Sequence, residues 1–169
     1  MNGDAGDEPV DVLDDEGRPI GVVPRREMRL RRLPHRATYV LVFNRRGELF
    51  VHLRTADKDV YPSHWDVAVG GVPQAGESFD DAARREAREE LGVELSLERL
   101  FPFRYGDDRT VVHGMAYRAR HDGPFRLQPA EIVRGEFVPP PEVTARAKDV
   151  PFCPDGLALL SIYCRYAAT

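Results

Sequence analysis

Residues 71–93, GVPQAGESFDDAARREAREELGV, contain the most strongly patterned helix of the 169-residue chain. Ser78, with Asp81 three residues later, is typical of a helix N-cap, and Gly92 is typical of a C-terminal stop. At about 100° per residue, the apolar residues form one stripe that we expect to face the body of the protein. Its members are Phe79, Ala82, Ala83, Ala87 and Leu91.

Two carboxylates of this helix point in the same direction as its apolar stripe. Glu86 and Glu90 lie within roughly 20° of Phe79 on the helical wheel, whereas Glu89 lies at the edge of the stripe. Carboxylates three and four residues apart repel one another, and an unpaired buried charge is very costly. A solvated helix of Glu–Arg pairs would not place acids on the apolar side. A divalent cation such as Mg²⁺ would offset both costs, and a buried arginine is the alternative partner.

The spacing of the fixed residues in this segment resembles the Nudix box. The positions of that motif are filled by Gly71, Glu77, Arg85, Glu86, Ala87, Glu89, Glu90, Gly92 and Val93. The resemblance implies a Nudix hydrolase with an α/β/α sandwich fold and a mixed sheet. Such enzymes cleave a diphosphate linkage in a nucleoside diphosphate derivative or a related compound, with water attacking phosphorus.

The resemblance also implies a role for each polar residue of the motif. The implied ligands of Mg²⁺, or alternatively Mn²⁺, are the carbonyl of Gly71 and the carboxylates of Glu86, Glu89 and Glu90. Glu77 and Arg85 would form a structural ion pair between the loop and the helix. Shared cations would then explain why the acids tolerate one another.

From about residue 10 to about residue 138 the chain resembles the isopentenyl-diphosphate isomerase-like branch of this superfamily. The isomerase binds diphosphate through an arginine and a lysine in the loop after its second hairpin strand, and Arg54 and Lys58 occupy those positions. Paired cations beside a metal site also suit a diphosphate on physical grounds. Surface basic residues without a ligand, on an exposed loop, are the alternative interpretation.

Several positions differ from the isomerase. Gly70 stands where its catalytic cysteine falls, while Val72 and Met28 stand at or near positions of metal-binding histidines. His35 matches a third such histidine, but we expect it to be a structural hydrogen-bonding residue without those partners. The Nudix box is intact here and eroded in the isomerase. These differences favour a hydrolase; an isomerase and a non-catalytic ligand-binding module are the alternatives.

Two glutamates are candidates for the general base. Glu89 is the candidate within the motif, and Glu131, before a predicted strand, is the candidate outside it. Asp107 and Asp108 are weaker candidates, because aspartates in turns are ordinarily turn formers. An aromatic ring could support a purine or pyrimidine, although most such rings belong to the core. The candidates for this role are Tyr61, Trp65, Phe103 and Tyr105.

The remaining sequence predicts strands mixed with a few helices, which indicates an α/β sandwich with a mixed sheet. We expect a flexible tail over residues 1–8 and a single Nudix hydrolase domain over residues 9–169. The predicted strands span residues 10–23 (two about a turn), 37–54 (a hairpin with Gly47 in its turn), 65–69, 98–105, 110–120 and 131–138. Short helices are predicted over residues 25–33, after Pro139, and at the C-terminus.

Composition excludes some partners and compartments. A net charge of −4 gives no attraction to nucleic acid or anionic membranes, and no apolar run approaches the length of a membrane span. Cys153 and Cys164 are expected to be reduced core residues, so we predict a cytoplasmic protein that acts on a small diphosphate compound. A homodimer is compatible with the sequence, which does not determine the oligomeric state.

Overall fold

The computed structural model of the protein describes residues 4–169. Its strands are β1 Pro9–Leu13, β2 Pro19–Pro24, β3 His35–Phe43, β4 Leu49–Arg54, β5 Trp65–Asp66, β6 Glu98–Gly106, β7 Val111–Arg120 and β8 Ile132–Val138. Its α-helices are α1 Arg25–Leu30, α2 Phe79–Leu91, α3 Pro140–Arg146 and α4 Pro154–Ala167. Among residues 4–169, every helix is too short or too polar to cross a membrane.

The strands form one mixed sheet with β3 at its centre. β3 pairs in parallel with β7 along its length, from His35 opposite Val112 to Phe43 opposite Arg120. The other pairings of the sheet are antiparallel: β1 with β2 and β3, β4 with β3, β5 and β8, and β6 with β7. The predicted mixed sheet is therefore confirmed, and its one parallel pairing lies in the middle of the sheet.

Helices cover both faces of this sheet, which produces the predicted α/β/α sandwich. Successive side chains of a strand point to opposite faces. Leu41 of β3 accordingly packs in the cluster that includes Leu159 of α4, whereas Val40 packs in the cluster that includes Ala87 of α2. Because both faces of β3 are covered, its sequence is almost continuously apolar.

Helix α2 begins and ends where its capping residues predict. The Ser78 hydroxyl accepts a hydrogen bond of 3.1 Å from the backbone N–H of Asp81. Gly92 adopts a φ of 67°, a left-handed conformation that glycine reaches without a steric penalty. The two hairpins and the short helix after β2 are also confirmed, with Gly47 at a φ of 78° in the β3–β4 turn.

Part of the predicted tail has regular secondary structure. Residues 1–3 lie outside the described residues, but Ala5–Asp7 form a 3-10 helix, with the Asp4 side chain accepting from the N–H of Gly6. The Glu8 carbonyl then accepts from the N–H of Arg25 at 2.8 Å. The capped turn and its hydrogen bond to the start of α1 explain why these residues form regular structure. Composition alone did not indicate this.

Two smaller expectations also need correction. Only Trp65–Asp66 of the predicted strand 65–69 form a ladder, and Val69 makes an isolated bridge to Val40. Cys153 is buried as expected, but Cys164 is exposed. Cys164 lies on the outer side of α4. The sequence did not predict this, because α4 has many apolar residues and its amphipathic pattern does not separate the buried face from the exposed face.

The cap of α2 can be tested directly. Ser78→Ala should lower the free energy of unfolding by about 1 kcal/mol, because one N-terminal N–H of the helix loses its partner. Ser96→Ala, at an exposed serine after the helix, is the matched control and should leave stability unchanged. Chemical denaturation measures both changes. Equal stability of the two variants would contradict the capping role.

Candidate active site

The loop from Gly71 to Ser78 is held between α2 and the central strand by two arginines. Arg85 donates two hydrogen bonds of 2.9 Å to the Glu77 carboxylate, one from Nε and one from Nη2. Arg36 of β3 donates to the backbone carbonyls of Gln74 and Glu77 and to the Asp11 carboxylate. The loop therefore has a defined path, which brings the start of the motif back onto the acidic face of α2.

Glu86 and Glu90 lie on the inner face of α2, one turn apart. Glu90 is buried, and the Glu86 side chain is 14% exposed. Gly71 lies against Glu86 so closely that a Cβ added to it would fall 2.6 Å from the carboxyl carbon. A side chain at this position would require the Glu86 carboxylate to move.

Burial changes the proton affinity of both acids. It raises the pKa of Glu90 to about 8, with the neighbouring Glu86 as the second cause. Burial also raises the pKa of Glu86, although Arg85 opposes the rise. The two carboxylates therefore disfavour simultaneous ionisation in the absence of a cation.

A polar cavity opens beside Glu90, between α1, the loop after β4 and the start of α4. Its charged lining includes Arg25, Arg29, Arg54, Lys58, Glu90 and Glu131. The sequence had indicated Arg54, Lys58 and the three acids Glu86, Glu90 and Glu131 as functional residues. The structure brings these residues together at the cavity or its rim.

Arg54 and Lys58 are largely buried, unlike basic residues on an exposed surface loop. Their side chains are 18% and 19% exposed. Arg54 donates to the carbonyls of Val60 at 2.8 Å and Tyr61 at 3.2 Å, so it also holds the loop that carries Lys58. Lys58 forms an ion pair with Glu131. Burial and then the charge of Arg54 lower the pKa of Lys58.

Two further cations of the cavity were missed by the sequence reasoning. Arg25 and Arg29 of α1 line the cavity, and the Nε atoms of both are buried without a hydrogen-bond partner. Their nearest acid is the half-exposed Asp59, at 3.9 and 3.8 Å. Burial and the neighbouring Arg25 lower the pKa of Arg29 to about 10. The sequence feature that could have identified them is the i,i+4 spacing of two arginines in a basic segment, because this spacing places both on one helix face.

The third glutamate of the motif stands apart from the other two. Glu89 is 55% exposed and lies 3.4 Å from Nη1 of Arg85. Within residues 4–169, no three His, Cys, Asp or Glu side chains converge closely enough to enclose a metal ion. The carboxylates of Glu86 and Glu90 still fit a hard divalent cation, which takes oxygen ligands and retains several waters. The Gly71 carbonyl, another expected ligand, instead accepts hydrogen bonds from the N–H of Thr38 at 2.9 Å and from its hydroxyl at 3.3 Å. Burial and the charge of Glu86 disfavour the ionised form of Glu90, which a bound cation would favour.

The candidates for base and aromatic support differ in position. Glu131 lines the cavity, whereas Glu89 does not. Asp107 accepts hydrogen bonds from Tyr61 and Tyr105 and from two backbone N–H groups, so it is a structural turn residue. Asp108 adjoins it in the same turn. Of the four aromatic candidates, only Tyr61 lines the cavity.

The aromatic residues outside the cavity have structural contacts. Phe103 is buried in the core on the α4 side and packs edge-on against Tyr39 at 5.2 Å. Trp65 lies under the guanidinium of Arg134, 5.3 Å from its ring centroid.

Gly70 is explained by the backbone of β3. A Cβ added to Gly70 would fall 2.0 Å from the carbonyl oxygen of Thr38. A side chain at position 70 therefore has no space, because the neighbouring strand fills it. Val72 and Met28 are buried in one small apolar cluster. His35 is a buried hydrogen-bonding residue as expected, with Nδ1 at 2.9 Å from the Leu33 carbonyl.

Comparisons with known proteins agree with this architecture. A family model described as NUDIX domain matches residues 33–157. An uncharacterized Nudix hydrolase of Pseudomonas aeruginosa is 41% identical over 152 residues, which covers 89% of this chain and 90% of that protein. A crystal structure of a Deinococcus radiodurans protein has a TM-score of 0.81 at 30% identity, covering 91% of this chain and 98% of that one.

A more distant structure resembles the fold alone. It is the Nudix domain of Shewanella oneidensis NrtR, solved as a complex with ADP ribose. Its TM-score is 0.62 at 18% identity, and the match covers 79% of this chain and 88% of that one.

The raised pKa of Glu90 predicts how stability depends on pH. Between its ordinary pKa of 4.5 and the folded value of about 8, the folded state binds the proton that the unfolded state has lost. Stability must therefore fall as pH rises through this range when no cation is bound. We expect the Tm of chelator-treated protein to fall with pH more steeply than that of Glu90→Gln.

Thermal unfolding in EDTA at several pH values measures this difference. Glu94→Gln, at an exposed glutamate after the helix, is the matched control and should retain the slope of the unmodified protein. Addition of Mg²⁺ should raise the Tm at high pH in the unmodified protein more than in Glu90→Gln. Parallel slopes in all three proteins would contradict the assignment.

Proposed function

The chain belongs to the NUDIX domain family, and we propose that it is a divalent-metal-dependent hydrolase that cleaves the diphosphate linkage of a small compound. The proposal rests mainly on one observation: acidic and basic side chains lie around the same cavity. Among residues 4–169, buried Glu90 has no cation in contact on one side; on the other, the Nε atoms of Arg25 and Arg29 have no hydrogen-bond partner, and their nearest acid is Asp59, at 3.9 and 3.8 Å. A metal–diphosphate complex would supply both missing charges.

The cations of the cavity would bind and orient the diphosphate. Arg54 is held by two backbone carbonyls, so its position is set before substrate arrives. Arg25 and Arg29 would donate their free Nε hydrogens to phosphate oxygens, which would give these buried groups partners. Lys58 would contribute charge without a fixed geometry.

The acids would bind the cation and activate water. Glu86 and Glu90 would hold Mg²⁺, which supplies Lewis-acid charge to the phosphoryl oxygens when bound. Glu131 is the better candidate for the general base, because it lines the cavity beside Lys58, whereas Glu89 does not line it. Glu89 would then act at the outer edge, where it contacts Arg85.

The comparisons support a diphosphate-linked substrate without identifying it. The Shewanella oneidensis domain binds ADP ribose, a nucleoside diphosphate derivative. The charges of the present cavity suit the diphosphate that such compounds share. A nucleoside diphosphate derivative is therefore the substrate class that we propose.

Isomerisation of isopentenyl diphosphate is the weaker candidate. Moving a double bond requires an acid and a base at the substrate's carbon atoms. Gly70 has no side chain and no space for one, and Val72 cannot titrate. The lining of the cavity is also rich in charged groups, against which an isoprenoid chain would be poorly accommodated.

Oxygen-18 labelling of the solvent water tests the proposed function. The purified protein with Mg²⁺ and ADP ribose or another diphosphate-linked compound in oxygen-18 water should place the label in a phosphate product. Glu90→Gln should reduce this turnover at least about a hundredfold, because transition-state charge loses its electrostatic support. No interconversion of isopentenyl and dimethylallyl diphosphate is expected. Double-bond migration, or full activity of Glu90→Gln, would refute the proposal.

The phosphate cradle has its own test. Arg29→Gln and Lys58→Gln should each weaken binding of a diphosphate compound by about 1.5–3 kcal/mol, the value of a hydrogen bond to a charged group. Arg31→Gln, at an exposed arginine just after α1, is the matched control and should bind normally. Calorimetric titration gives the affinities. Unchanged affinity in both cavity variants would place the diphosphate elsewhere.

A further inference from the structure

The polar cavity has an acidic inner wall that the hydrolytic groups do not use. Asp66, at the end of β5, and Asp155, in the first turn of α4, both line it. Asp66 accepts from the backbone N–H groups of Val67 at 2.8 Å and Ala68 at 3.3 Å. Its carboxylate also lies 3.6 Å from the guanidinium of Arg54, and Glu90 and Lys58 line the same cavity.

Asp155 has no cation in contact among the described residues. Its carboxylate accepts from the Tyr39 hydroxyl at 3.0 Å and from the N–H of Gly156 at 2.9 Å. Both donors are neutral, so the charge is only partly compensated. Burial, and secondarily Asp66, raise the pKa of Asp155 to about 6. A cationic or hydrogen-bond-donating group entering the cavity would restore the balance.

Two unpartnered polar atoms line the same cavity. The Oγ1 atom of Thr110 and the Nδ1 atom of His52 are buried without a hydrogen-bond partner, in residues only 4% and 2% exposed. Buried polar groups are nearly always paired in native proteins, and each unpaired one calls for an explanation. Both can accept or donate a hydrogen bond, depending on the hydroxyl rotor and the imidazole tautomer.

A structural role alone does not account for this wall. An aspartate in the first turn of a helix stabilises the helix dipole, and Asp155 has that position. An exposed carboxylate would provide the same stabilisation without the cost of burial beside Asp66. The helix dipole also leaves the unpaired atoms of Thr110 and His52 unexplained. A ligand group in the cavity accounts for all three observations.

We propose that this inner wall binds a hydrogen-bond donor, best a protonated amine, on the group that the substrate carries beyond its diphosphate. Asp155 is the principal acceptor, and Asp66, Thr110 and His52 complete the wall. Arg54 connects the wall to the diphosphate cradle, so a substrate bound by its phosphates presents its attached group to Asp155. The inference rests on the proposed function, and it makes Asp155 a specificity-determining residue.

Three small diphosphate esters test this inference. Ethyl diphosphate has no donor on its attached group, 2-hydroxyethyl diphosphate has a hydroxyl, and 2-aminoethyl diphosphate has an ammonium. Their dissociation constants, measured by calorimetry with Mg²⁺, should fall in that order, with the amine binding roughly tenfold or more tightly than the ethyl ester. Equal affinity for all three would overturn the inference, whether or not any is hydrolysed.

Asp155→Asn should bring the affinity ratio of the amino and ethyl esters close to one, because the negative charge is lost. Asp149→Asn, at an exposed aspartate before α4, should keep the ratio of the unmodified protein. Tyr39→Phe removes the hydroxyl that donates to Asp155 and frees a carboxylate lone pair, so the ratio should be maintained or increased. An unchanged ratio in Asp155→Asn, or a ratio abolished in Tyr39→Phe, would overturn the inference.

Phosphate release from the same esters separates this inference from the proposed function. Tight, amine-selective binding without release of phosphate would support the acidic wall and contradict the hydrolase. Phosphate release combined with equal affinity for the three esters would support the hydrolase and contradict binding of the amine by the acidic wall.

Discussion

The paired hydrogen bonds between Arg85 and Glu77 hold the site together. They join the helix α2 to the loop that precedes it, and Arg36 secures the same loop to the central strand. Gly71 is thereby held against Glu86, whose carboxylate would have to move to admit a larger residue. A bidentate arginine–carboxylate pair is suited to this task, because its two parallel bonds set orientation as well as distance.

Around this anchored loop, the protein concentrates charges that repel one another. Glu86 and Glu90 are inward acids on one helix face, and Arg25 and Arg29 are inward bases on another. Burial raises the pKa of Glu90 and lowers the pKa of Arg29, and the neighbouring like charge of Glu86 or Arg25 adds to each shift. Such arrangements are typical of sites whose ligand completes them. They weaken the unliganded fold and favour a complex in which both signs are neutralised.

The acidic wall extends the same principle away from the metal ligands. Asp155, Asp66 and Glu90 line the same cavity as Arg54 and Lys58, so side chains of both signs surround it. A compound that carries phosphate and amine groups would match both signs. Complementary charge placement mainly provides specificity, because a mismatched group leaves a buried charge without a partner.

The sequence by itself determined the acidic helix, its caps, the hairpins and the mixed sheet, because these depend on short-range periodicity and on residues that terminate elements. It also indicated Glu86, Glu90, Arg54, Lys58 and Glu131. Tertiary structure alone decided that Arg25 and Arg29 face these groups, that Asp66 and Asp155 form a wall beside them, and that Gly70 is enclosed by Thr38. Burial and charge proximity across distant segments depend on how the sheet and helices pack, and no local pattern encodes that packing.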